Sequence, residues 1–388
     1  KKLFRQDWAR FQNLVLVEDT LRAMGNIAAR IRSKKNIPVI CVTGTNGKTT
    51  VKDILSYVFA KNKNVLSSQK SFNNIIGLSL TLFGLDDGHD IAVLELGTNH
   101  PGEIGELSKI ASPTAALITN IGNGHLEFFS KKENILREKV SIAEALPEKG
   151  TIFLNKDDDL LGGDIELKVQ KKFFGKNRGS DFLLSGIKKN EKGYTFLVNG
   201  EDYSIALDGM HNVYNALAAI SLARYFGETH NGVRERLASA SLPKMRLEHV
   251  TIDNVLFVND AYNANPDSFE CALKVIEAMT FHGKKGVVAG DMNELGQEAP
   301  RLHKNLGRSI ADKKMDFLIV LGKFSDDIAQ GAVDAGMAKE KVRIVKDWEA
   351  AASNLREMAI GRSVVLLKAS RKGKMEEVLK CFTTCCIR

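Results

Sequence analysis

The stretch CVTGTNGKTT, residues 41–50, decides the fold of this chain. A mostly apolar run, residues 37–42, leads into it, and apolar residues recur at helical spacing over residues 51–59 behind it. This order predicts a buried strand, a glycine-rich loop and the start of a helix. Gly44 and Gly47 allow the backbone to approach a ligand closely, and the free N–H groups of such a loop and of a helix N-terminus attract phosphate. The stretch therefore predicts a phosphate-binding loop.

The spacing of this loop is unusual. The common pattern G-x-x-x-x-G-K-[ST] would place its first glycine at position 42, where this chain has Val42, and the first glycine here is Gly44. Lys48 is placed to reach terminal phosphates, and Thr49 offers a hydroxyl to Mg²⁺. A glycine-rich turn without a ligand is the alternative interpretation. The candidate nucleotide-binding residues of the loop are Thr43, Gly44, Thr45, Asn46, Gly47, Lys48, Thr49 and Thr50.

The composition is that of a globular protein with two or three domains. The chain has 388 residues, of which 44% are apolar and 26% charged, and its net charge is +8. The positive charge fits either an ordinary basic surface or a field that favours anionic substrates. No basic stretch carries interleaved aromatic residues, so we expect no nucleic-acid partner.

The sequence also indicates a location and a redox state. No apolar run is long enough to span a bilayer and no apolar signal segment is visible, so we expect a cytoplasmic protein without membrane insertion. The five cysteines are Cys41, Cys271, Cys381, Cys385 and Cys386. They form no C-x-x-C pair, which argues against a zinc site and favours reduced thiols.

Short apolar runs alternate with helical patterns along most of the chain, which is typical of an α/β fold whose parallel sheets are covered by helices on both faces. The first predicted strands cover residues 39–42, 65–68, 91–96, 115–121 and 151–155. Residues 182–207 instead predict an antiparallel meander with turns at Lys192-Gly193 and Asn199-Gly200, followed by a helix over 212–227. The α/β rhythm then restarts, with strands predicted at 255–260, 286–291, 317–322, 342–345 and 363–370. We place a boundary near Pro243, between a central domain (37–242) and a C-terminal domain (243–388).

Two acidic residues end predicted strands. Glu95 ends the run IAVLE, and Asp260 ends the run VLFVND. Side chains at the carboxyl ends of parallel strands face the ligand crevice of an α/β sheet. Because Mg²⁺ prefers oxygen ligands, Glu95 is a candidate metal ligand. A solvated strand terminus is the alternative.

Lys139 is a cation in an apolar position. The segment SKKE at 130–133 predicts a capping box, with Ser130 as N-cap and Glu133 three residues on. On a helical wheel Lys139 falls near the centre of the apolar stripe of the following helix. Since burying an unpaired ammonium is costly, the position indicates either chemistry on the amine or a side chain that extends to the edge of the stripe. The expected stripe is Ile135, Leu136, Val140, Ile142, Ala143 and Leu146, and the expected exposed face is Arg137, Glu138, Ser141 and Glu144.

The loop spacing G-T-x-G-K-[TS] resembles that of the Mur ligase superfamily, whose members join a carboxylate to an amine at the expense of ATP. Six further stretches follow in the family's order: SFNNIIGLSLTL, ELGTNHPGEI, LITNIGNGHLEFF, HNVYNALAA, DAYNANPDS and GDMNELG. The last two resemble the branch that adds D-Ala-D-Ala to a UDP-N-acetylmuramoyl (UDP-MurNAc) tripeptide in peptidoglycan synthesis.

The resemblance implies a P-loop-type central domain with a parallel sheet and a C-terminal Rossmann-like α/β domain. It implies ATP and Mg²⁺ as cofactors, and UDP-MurNAc-tripeptide and D-Ala-D-Ala as substrates. The reaction it implies passes through an acyl phosphate. We expect a monomer.

The resemblance also assigns roles to residues. Lys48, His125, Lys139 and Arg246 would be catalytic, and Thr49, Glu95, His125 and Lys139 would hold metal, with Lys139 carbamylated by CO₂. Asn215 would lie at the adenine end of ATP and Asp260 near its ribose, while Arg246 would meet the γ-phosphate as the domains close. Helix capping by Asn215 and a plain surface arginine are the alternatives. The implied substrate-binding residues are Ser71, Phe72, Asn73, Asn74, Tyr262, Asn263, Asn265, Asn293, Glu294, Leu295, Lys368, Ser370 and Arg371.

Family members also carry an N-terminal domain that holds the UDP moiety, and we expect residues 1–36 to be a remnant of it or a connector. Two other functions stay open at this point. A folylpolyglutamate synthase shares the superfamily, but its loop G-T-N-G-K-G-S differs from this chain at Thr49-Thr50. A noncatalytic nucleotide-binding partner is the other. The residues that argue against it are Lys48, Glu95, His125 and Lys139, which are all intact.

Overall fold

The computed structural model describes residues 14–241 and 244–384. The predicted boundary residue Pro243, the start of the predicted connector and the cysteines at 385 and 386 lie outside the described residues. The helices are α1 (Thr20–Ser33), α2 (Lys48–Phe59), α3 (Ile75–Phe83), α4 (Glu103–Ala111), α5 (Leu126–Phe129), α6 (Lys132–Val140), α7 (Met210–Tyr225), α8 (His230–Ala238), α9 (Pro266–Ala278), α10 (Ala299–Asp312), α11 (Ser325–Asp334), α12 (Trp348–Met358) and α13 (Glu377–Thr384). Within these ranges no helix is long and apolar enough to cross a membrane.

The strands form two sheets. They are β1 (Val39–Thr43), β2 (Val65–Ser67), β3 (Ile91–Glu95), β4 (Ala115–Ile118), β5 (Thr151–Asn155), β6 (Gln170–Gly175), β7 (Phe182–Asn190), β8 (Gly193–Val198), β9 (Glu201–Ile205), β10 (Glu248–Ile252), β11 (Val255–Asn259), β12 (Lys284–Ala289), β13 (Phe317–Val320), β14 (Val342–Ile344) and β15 (Ser363–Lys368). The predicted α/β class with parallel-dominated sheets is confirmed.

The first sheet has nine strands in the order β2-β3-β1-β4-β5-β6-β7-β8-β9. Its first seven strands run parallel, and β1 lies between β3 and β4. The register pairs Val42 with Glu95 and Thr43 with Ile118. The carboxyl ends of these three strands therefore meet at one edge, which carries the glycine-rich loop, Glu95 and the segment after β4.

Helices cover both faces of this sheet because side chains of a strand alternate in direction. Ile40 and Val42 pack with α2 and α7 on one face. Val39 and Cys41 pack with α1, α3 and α4 on the other face. All five residues of β1 are buried, as expected for a central parallel strand.

The meander at the far end of this sheet is antiparallel, as predicted. Its first turn is shifted from the prediction: β7 ends at Asn190 and β8 begins at Gly193, so the turn residues are Glu191 and Lys192. The strand β6 was not predicted, since QKKFFG carries too little alternation to indicate a strand.

The second sheet has six strands in the order β10-β11-β15-β12-β13-β14. Only the unpredicted edge strand β10 is antiparallel to its neighbour. The neighbouring strands β11, β15 and β12 lead into Asp260, Lys368 and the segment from Gly290, so these groups gather at one edge. The assignment of whole domains at 37–242 and 243–388 stays a prediction.

The helix that carries Lys139 differs from the prediction at both ends. Ser130 has a φ of 62° and Lys131 is the N-cap without a side-chain hydrogen bond, so the predicted capping box is wrong. The α-helix ends at Val140 and continues as a 3₁₀ turn. Glu138, predicted on the exposed face, is buried and accepts hydrogen bonds from the backbone N–H groups of Gly102 (2.6 Å) and Ile104 (2.8 Å). The carboxylate thereby satisfies two free N–H groups at the start of α4.

Candidate active site

A polar cleft of about 630 Å³ lies between the loop edge of the nine-stranded sheet and the facing edge of the six-stranded sheet. It gathers most of the residues selected from the sequence. These are Thr45, Asn46, Gly47, Lys48, Thr49, Thr50, Ser71, Asn73, Asn74, Glu95, His125, Arg246, Asp260, Tyr262, Asn263, Asn265, Asn293, Glu294, Lys368, Ser370 and Arg371. Side chains as far apart in the sequence as Thr45 and Arg371 therefore share one cleft.

The glycine-rich loop has the backbone that its glycines predict. Gly47 has a φ of 85°, and a side chain there would collide with the amide oxygen of Asn215. Gly44 has a φ of 144°, and a side chain there would collide with Thr119. A residue with a Cβ would thus be strained at either position.

The Lys48 amine is held over this loop. It donates hydrogen bonds to the carbonyl oxygens of Gly44 (2.8 Å) and Thr45 (3.0 Å). Burial lowers the pKa of Lys48; Glu95 opposes that shift, and Arg246 adds to it. The amine lies against the loop carbonyls, so it is placed to meet the outer phosphates of a nucleotide.

Glu95 offers an acceptor that no described group uses. Its side chain is 1% exposed. The Oε1 atom accepts a hydrogen bond from Asn73 (2.8 Å), whereas the buried Oε2 atom has no hydrogen-bond partner among the described residues. A buried, unpartnered carboxylate oxygen at the mouth of a phosphate loop fits a ligand of Mg²⁺. Within residues 14–241 and 244–384 no group of three or more His, Cys, Asp or Glu side chains could hold a metal by itself.

His125 is held from the other side of the cleft. It has a φ of 60° at the start of α5, and its Nδ1 atom lies 2.5 Å from Oε2 of Glu294. The hydrogen bond to His125 lowers the pKa of Glu294. The backbone carbonyl of Glu294 also accepts a hydrogen bond from the N–H group of Glu127 (3.0 Å). Glu294 thus contacts the segment around His125 twice, in addition to the substrate-binding role predicted for it.

Lys139 is buried, which argues against a side chain that extends to the edge of the apolar stripe. It is 1% exposed. Burial, aided by the nearby Lys48 ammonium and opposed by Glu138, holds the pKa of Lys139 well below its ordinary value. The amine therefore has the environment that favours its neutral, nucleophilic form.

Arg246 connects the two sides of the cleft. Its guanidinium donates a hydrogen bond from Nη2 to the Thr49 hydroxyl (2.9 Å) and lies 4.3 Å from the centroid of the Tyr262 ring. Its buried Nε atom has no hydrogen-bond partner in the described part of the chain. An arginine with a free donor beside the phosphate loop is suited to bind a phosphate oxygen.

Polar groups of the six-stranded sheet form the opposite wall. Lys368 is ion-paired with Asp260 and donates a hydrogen bond to the carbonyl of Asn263 (3.1 Å). The Ser370 hydroxyl donates to the carbonyl of Ala264 (3.1 Å) and accepts from the N–H group of Asn293 (2.8 Å).

His211 lies beside this wall. Burial lowers its pKa to about 4; Asp260 opposes the shift and Lys368 adds to it. At neutral pH the ring is therefore uncharged and adds no positive charge to this side of the cleft.

The segment at 71–74 joins the two sides at a third place. The Tyr262 hydroxyl donates a hydrogen bond to the Ser71 hydroxyl. Asn74 is the N-cap of α3 and accepts from the N–H group of Gly77 (2.9 Å). The segment 71–74 is therefore anchored by a helix cap and by a contact from the six-stranded side.

Six of the predicted site residues do not line the cleft: Thr43, Gly44, Phe72, Lys139, Asn215 and Leu295. Leu295 is 2% exposed and packs in the apolar core of the six-stranded sheet. Asn215 lies behind the loop, where its amide donates to Asn212 (3.0 Å) and its oxygen faces Gly47. These roles stay predictions.

Sequence reasoning missed two residues that join the cleft walls. Asp267 accepts two hydrogen bonds from Asn123, at the backbone N–H and at the side-chain amide. Asp267 lies within the quoted stretch DAYNANPDS and Asn123 within LITNIGNGHLEFF. Only the pairing of two segments that are 144 residues apart shows that they interact.

A phosphate loop and a second α/β sheet that face each other across a polar cleft define a two-part nucleotide-dependent enzyme. The chain belongs to the Mur ligase family: residues 42–223 match the Mur ligase middle domain, and residues 245–371 match the Mur ligase, glutamate ligase domain. The family deduced from the sequence is thus confirmed.

Relatives of known name agree with this family. The chain is 36% identical over 370 residues to the UDP-N-acetylmuramoyl-tripeptide–D-alanyl-D-alanine ligase of Bacillus subtilis, covering 95% of this chain and 80% of that protein. The structure is similar to MurF from Acinetobacter baumannii, with a TM-score of 0.87 and 29% identity over 95% of this chain and 82% of that one. It is also similar to the MurF ligase from Thermotoga maritima in complex with ADP, with a TM-score of 0.85 and 29% identity over 97% of this chain and 86% of that one.

Proposed function

We propose that this chain forms an amide bond at the expense of ATP, adding D-Ala-D-Ala to a UDP-MurNAc-tripeptide in peptidoglycan synthesis. The observation that carries the proposal is the contact of Arg246 with Thr49, which brings a cation of the C-terminal side onto the phosphate loop. The Bacillus subtilis relative, whose name states this reaction, supports the choice of substrates.

ATP would bind with its phosphates on the loop. The N–H groups of the loop and of the α2 N-terminus hold the phosphate oxygens, and the Lys48 amine exchanges its carbonyl partners for the outer phosphates. Arg246 then stabilises the charge that moves during transfer of the γ-phosphoryl group. Asn215 and Asp260 would place the adenine and ribose ends.

Magnesium would be held by Thr49, Glu95, His125 and a carbamylated Lys139. The unpartnered Oε2 atom of Glu95 supports this set, as does the buried Lys139 amine, whose lowered pKa favours reaction with CO₂. When bound, Mg²⁺ neutralises charge on the phosphate oxygens.

The reaction would proceed in two steps. A carboxylate oxygen of the tripeptide attacks the γ-phosphorus, the bond to the bridging oxygen breaks, and ADP leaves with that oxygen. The neutral amine of D-Ala-D-Ala attacks the acyl carbon, the bond between this carbon and the phosphate oxygen breaks, and the nitrogen loses a proton. The chain contributes by positioning and charge neutralisation. The segment 71–74 would hold the tripeptide, and Tyr262, Asn263, Asn293 and Lys368 would face the dipeptide.

A phosphate-release assay tests the proposal. With ATP, Mg²⁺ and UDP-MurNAc-tripeptide, we expect phosphate release to depend on added D-Ala-D-Ala. Release driven by glutamate and a folate would favour the folylpolyglutamate alternative, and no release with either pair would favour a noncatalytic partner.

A variant at the phosphate loop isolates the role of the lysine. Lys48→Ala should abolish ATP turnover with little change in thermal stability, because the hydrogen bonds of the half-buried amine go to loop carbonyls. Lys149→Ala, at an exposed lysine outside the cleft, is the matched control. Turnover in Lys48→Ala comparable to that of the control would contradict the phosphate-loop assignment.

A further inference from the structure

Asp267, on the six-stranded side of the cleft, accepts hydrogen bonds from the loop that leads to His125 on the other side. It is the second residue of α9, which packs on the six-stranded sheet. Its Oδ2 atom accepts from the backbone N–H of Asn123 (2.5 Å), and its Oδ1 atom accepts from the side-chain amide of the same residue (2.8 Å). Asn123 stands in the loop between β4 and α5, two positions before His125.

The loop is shaped to accept this carboxylate. A side chain at Gly122 would collide with Asp267, so the backbone can approach only without a Cβ. The N–H group of Gly122 donates to the Thr45 hydroxyl (2.8 Å), so the loop is held by the phosphate loop on one side and by α9 on the other. The two carboxylate oxygens of Asp267 hold both the backbone and the side chain of Asn123.

The first turn of α9 holds the phosphate loop as well. Asn265, the N-cap of α9, exchanges side-chain amide hydrogen bonds with Asn46 (2.9 and 3.4 Å). The N-terminal end of α9 thus contacts both the phosphate loop and the loop between β4 and α5. If the six-stranded side moved away, both contacts would be lost together.

We propose that Asp267 is a positioning residue that sets the 119–125 loop, and with it His125, only when the C-terminal side is seated on the central side. Its carboxylate fixes the 119–125 loop when the same approach of the two sides brings Arg246 to Thr49. The consequence for catalysis rests on the proposed ligase function, whereas the effect on the loop does not.

A purely local role for Asp267 makes a different prediction. An acidic residue in the first turn stabilises a helix by its charge alone. That role needs no partner on the other side of the cleft, and a change at Asn123 would not repair its loss.

An exchange of the two side chains separates these roles. In Asp267→Asn the new amide opposes the amide or N–H donors of Asn123, and in Asn123→Asp two carboxylates face each other. In the double variant Asp267→Asn/Asn123→Asp, the asparagine at 267 can accept from the backbone N–H at 123 and donate to the new carboxylate. The net charge of the double variant equals that of the native chain. Glu277→Gln, which removes a charge from an exposed position of the same helix, is the control.

Hydrogen exchange of residues 119–130 and steady-state kinetics are the two measurements. We expect faster exchange of this segment and a kcat lowered by about 100-fold in each single variant, because displacement of a catalytic group by about 1 Å costs this much. The KM for ATP should stay within about twofold, since the nucleotide contacts are unchanged. The double variant should recover native exchange and most of kcat, and Glu277→Gln should match the native chain in both.

The proposal would be overturned if hydrogen exchange of residues 119–130 in the single variants equalled that of the native chain. It would also be overturned if the kcat of the double variant were lowered by the product of the two single effects. Restored loop exchange in the double variant, in a protein whose native form shows no ligation, would support the positioning role and refute the proposed function instead.

Discussion

Replacement of Lys139 with methionine is expected to stabilise α6 and abolish ligation at the same time. The lysine is 1% exposed, and burial disfavours the charged form of its amine. Methionine fills similar space without a polar end. Burial of a polar group without a hydrogen bond costs about 1–3 kcal/mol in protein mutational data, so removing the neutral amine should return a free energy of this order.

The gain should depend on pH. Because burial holds the folded-state pKa of Lys139 well below 10.5, the unfolded chain binds more protons between the two pKa values. The free energy of unfolding of the native chain therefore rises with pH in that window. Methionine does not titrate, so its advantage should be largest below the folded-state pKa and should shrink as the pH approaches the unfolded value.

Carbon dioxide should also change the difference in stability between the native chain and Lys139→Met. A carbamate on Lys139 is an anion, and the nearby Lys48 ammonium would stabilise it rather than oppose it. Added bicarbonate should stabilise the native chain and leave Lys139→Met unchanged, which narrows the gap between them.

Hydrogen exchange of peptides covering residues 132–146 measures the local opening of this helix. A local measurement is needed because a chain built on two sheets need not unfold in a single step. Arg137→Met, on the exposed face of α6, is the matched control and should change neither exchange nor activity. Faster exchange in Lys139→Met than in native protein under CO₂-free buffer would refute the reasoning. So would full ligation by the methionine variant.

Two further predictions concern groups outside the proposed chemistry. Glu138→Gln loses one of two acceptors for the N–H groups of Gly102 and Ile104, so exchange at the start of α4 should indicate a loss of about 1–3 kcal/mol; unchanged exchange would contradict the capping role. His211 binds a proton in the unfolded chain below about 6.5 but in the folded chain only below about 4, so stability should fall by up to about 3 kcal/mol as the pH drops through this window. Chemical denaturation should show a shallower fall in His211→Gln, and an NMR titration of the ring near 6.5 would contradict the prediction.

The sequence was sufficient for features that depend on neighbours in the chain. The strand, loop and helix at 39–59 follow from an apolar run, glycines that adopt positive φ, and helical spacing. Lys139 could be selected because a helical wheel places it among apolar residues. Glu95 could be selected because the end of a parallel strand faces a crevice.

Features that depend on distant partners could not be predicted. Glu138 was predicted on the exposed face because a helical-wheel analysis assumes that charged side chains face solvent. The N–H groups that bind it lie at the start of α4, which the wheel does not include. The capping box failed at Ser130, since its backbone turns to a positive φ that no local pattern indicated. The strands β6 and β10 gain their stability from pairing with β5, β7 and β11, not from their own sequences.

The division of the cleft between two sheets explains why so many of its polar groups are incompletely paired. On the central side, the Lys48 amine rests on loop carbonyls and Glu95 keeps a buried oxygen without a partner. On the C-terminal side, Arg246 keeps a buried nitrogen without a partner. Burying such groups is unfavourable unless a ligand completes them. A nucleotide between the two walls would supply acceptors for Lys48 and Arg246, and a cation that accompanies it would supply a partner for Glu95. Binding of the proposed substrate would therefore favour the arrangement in which the two walls face each other.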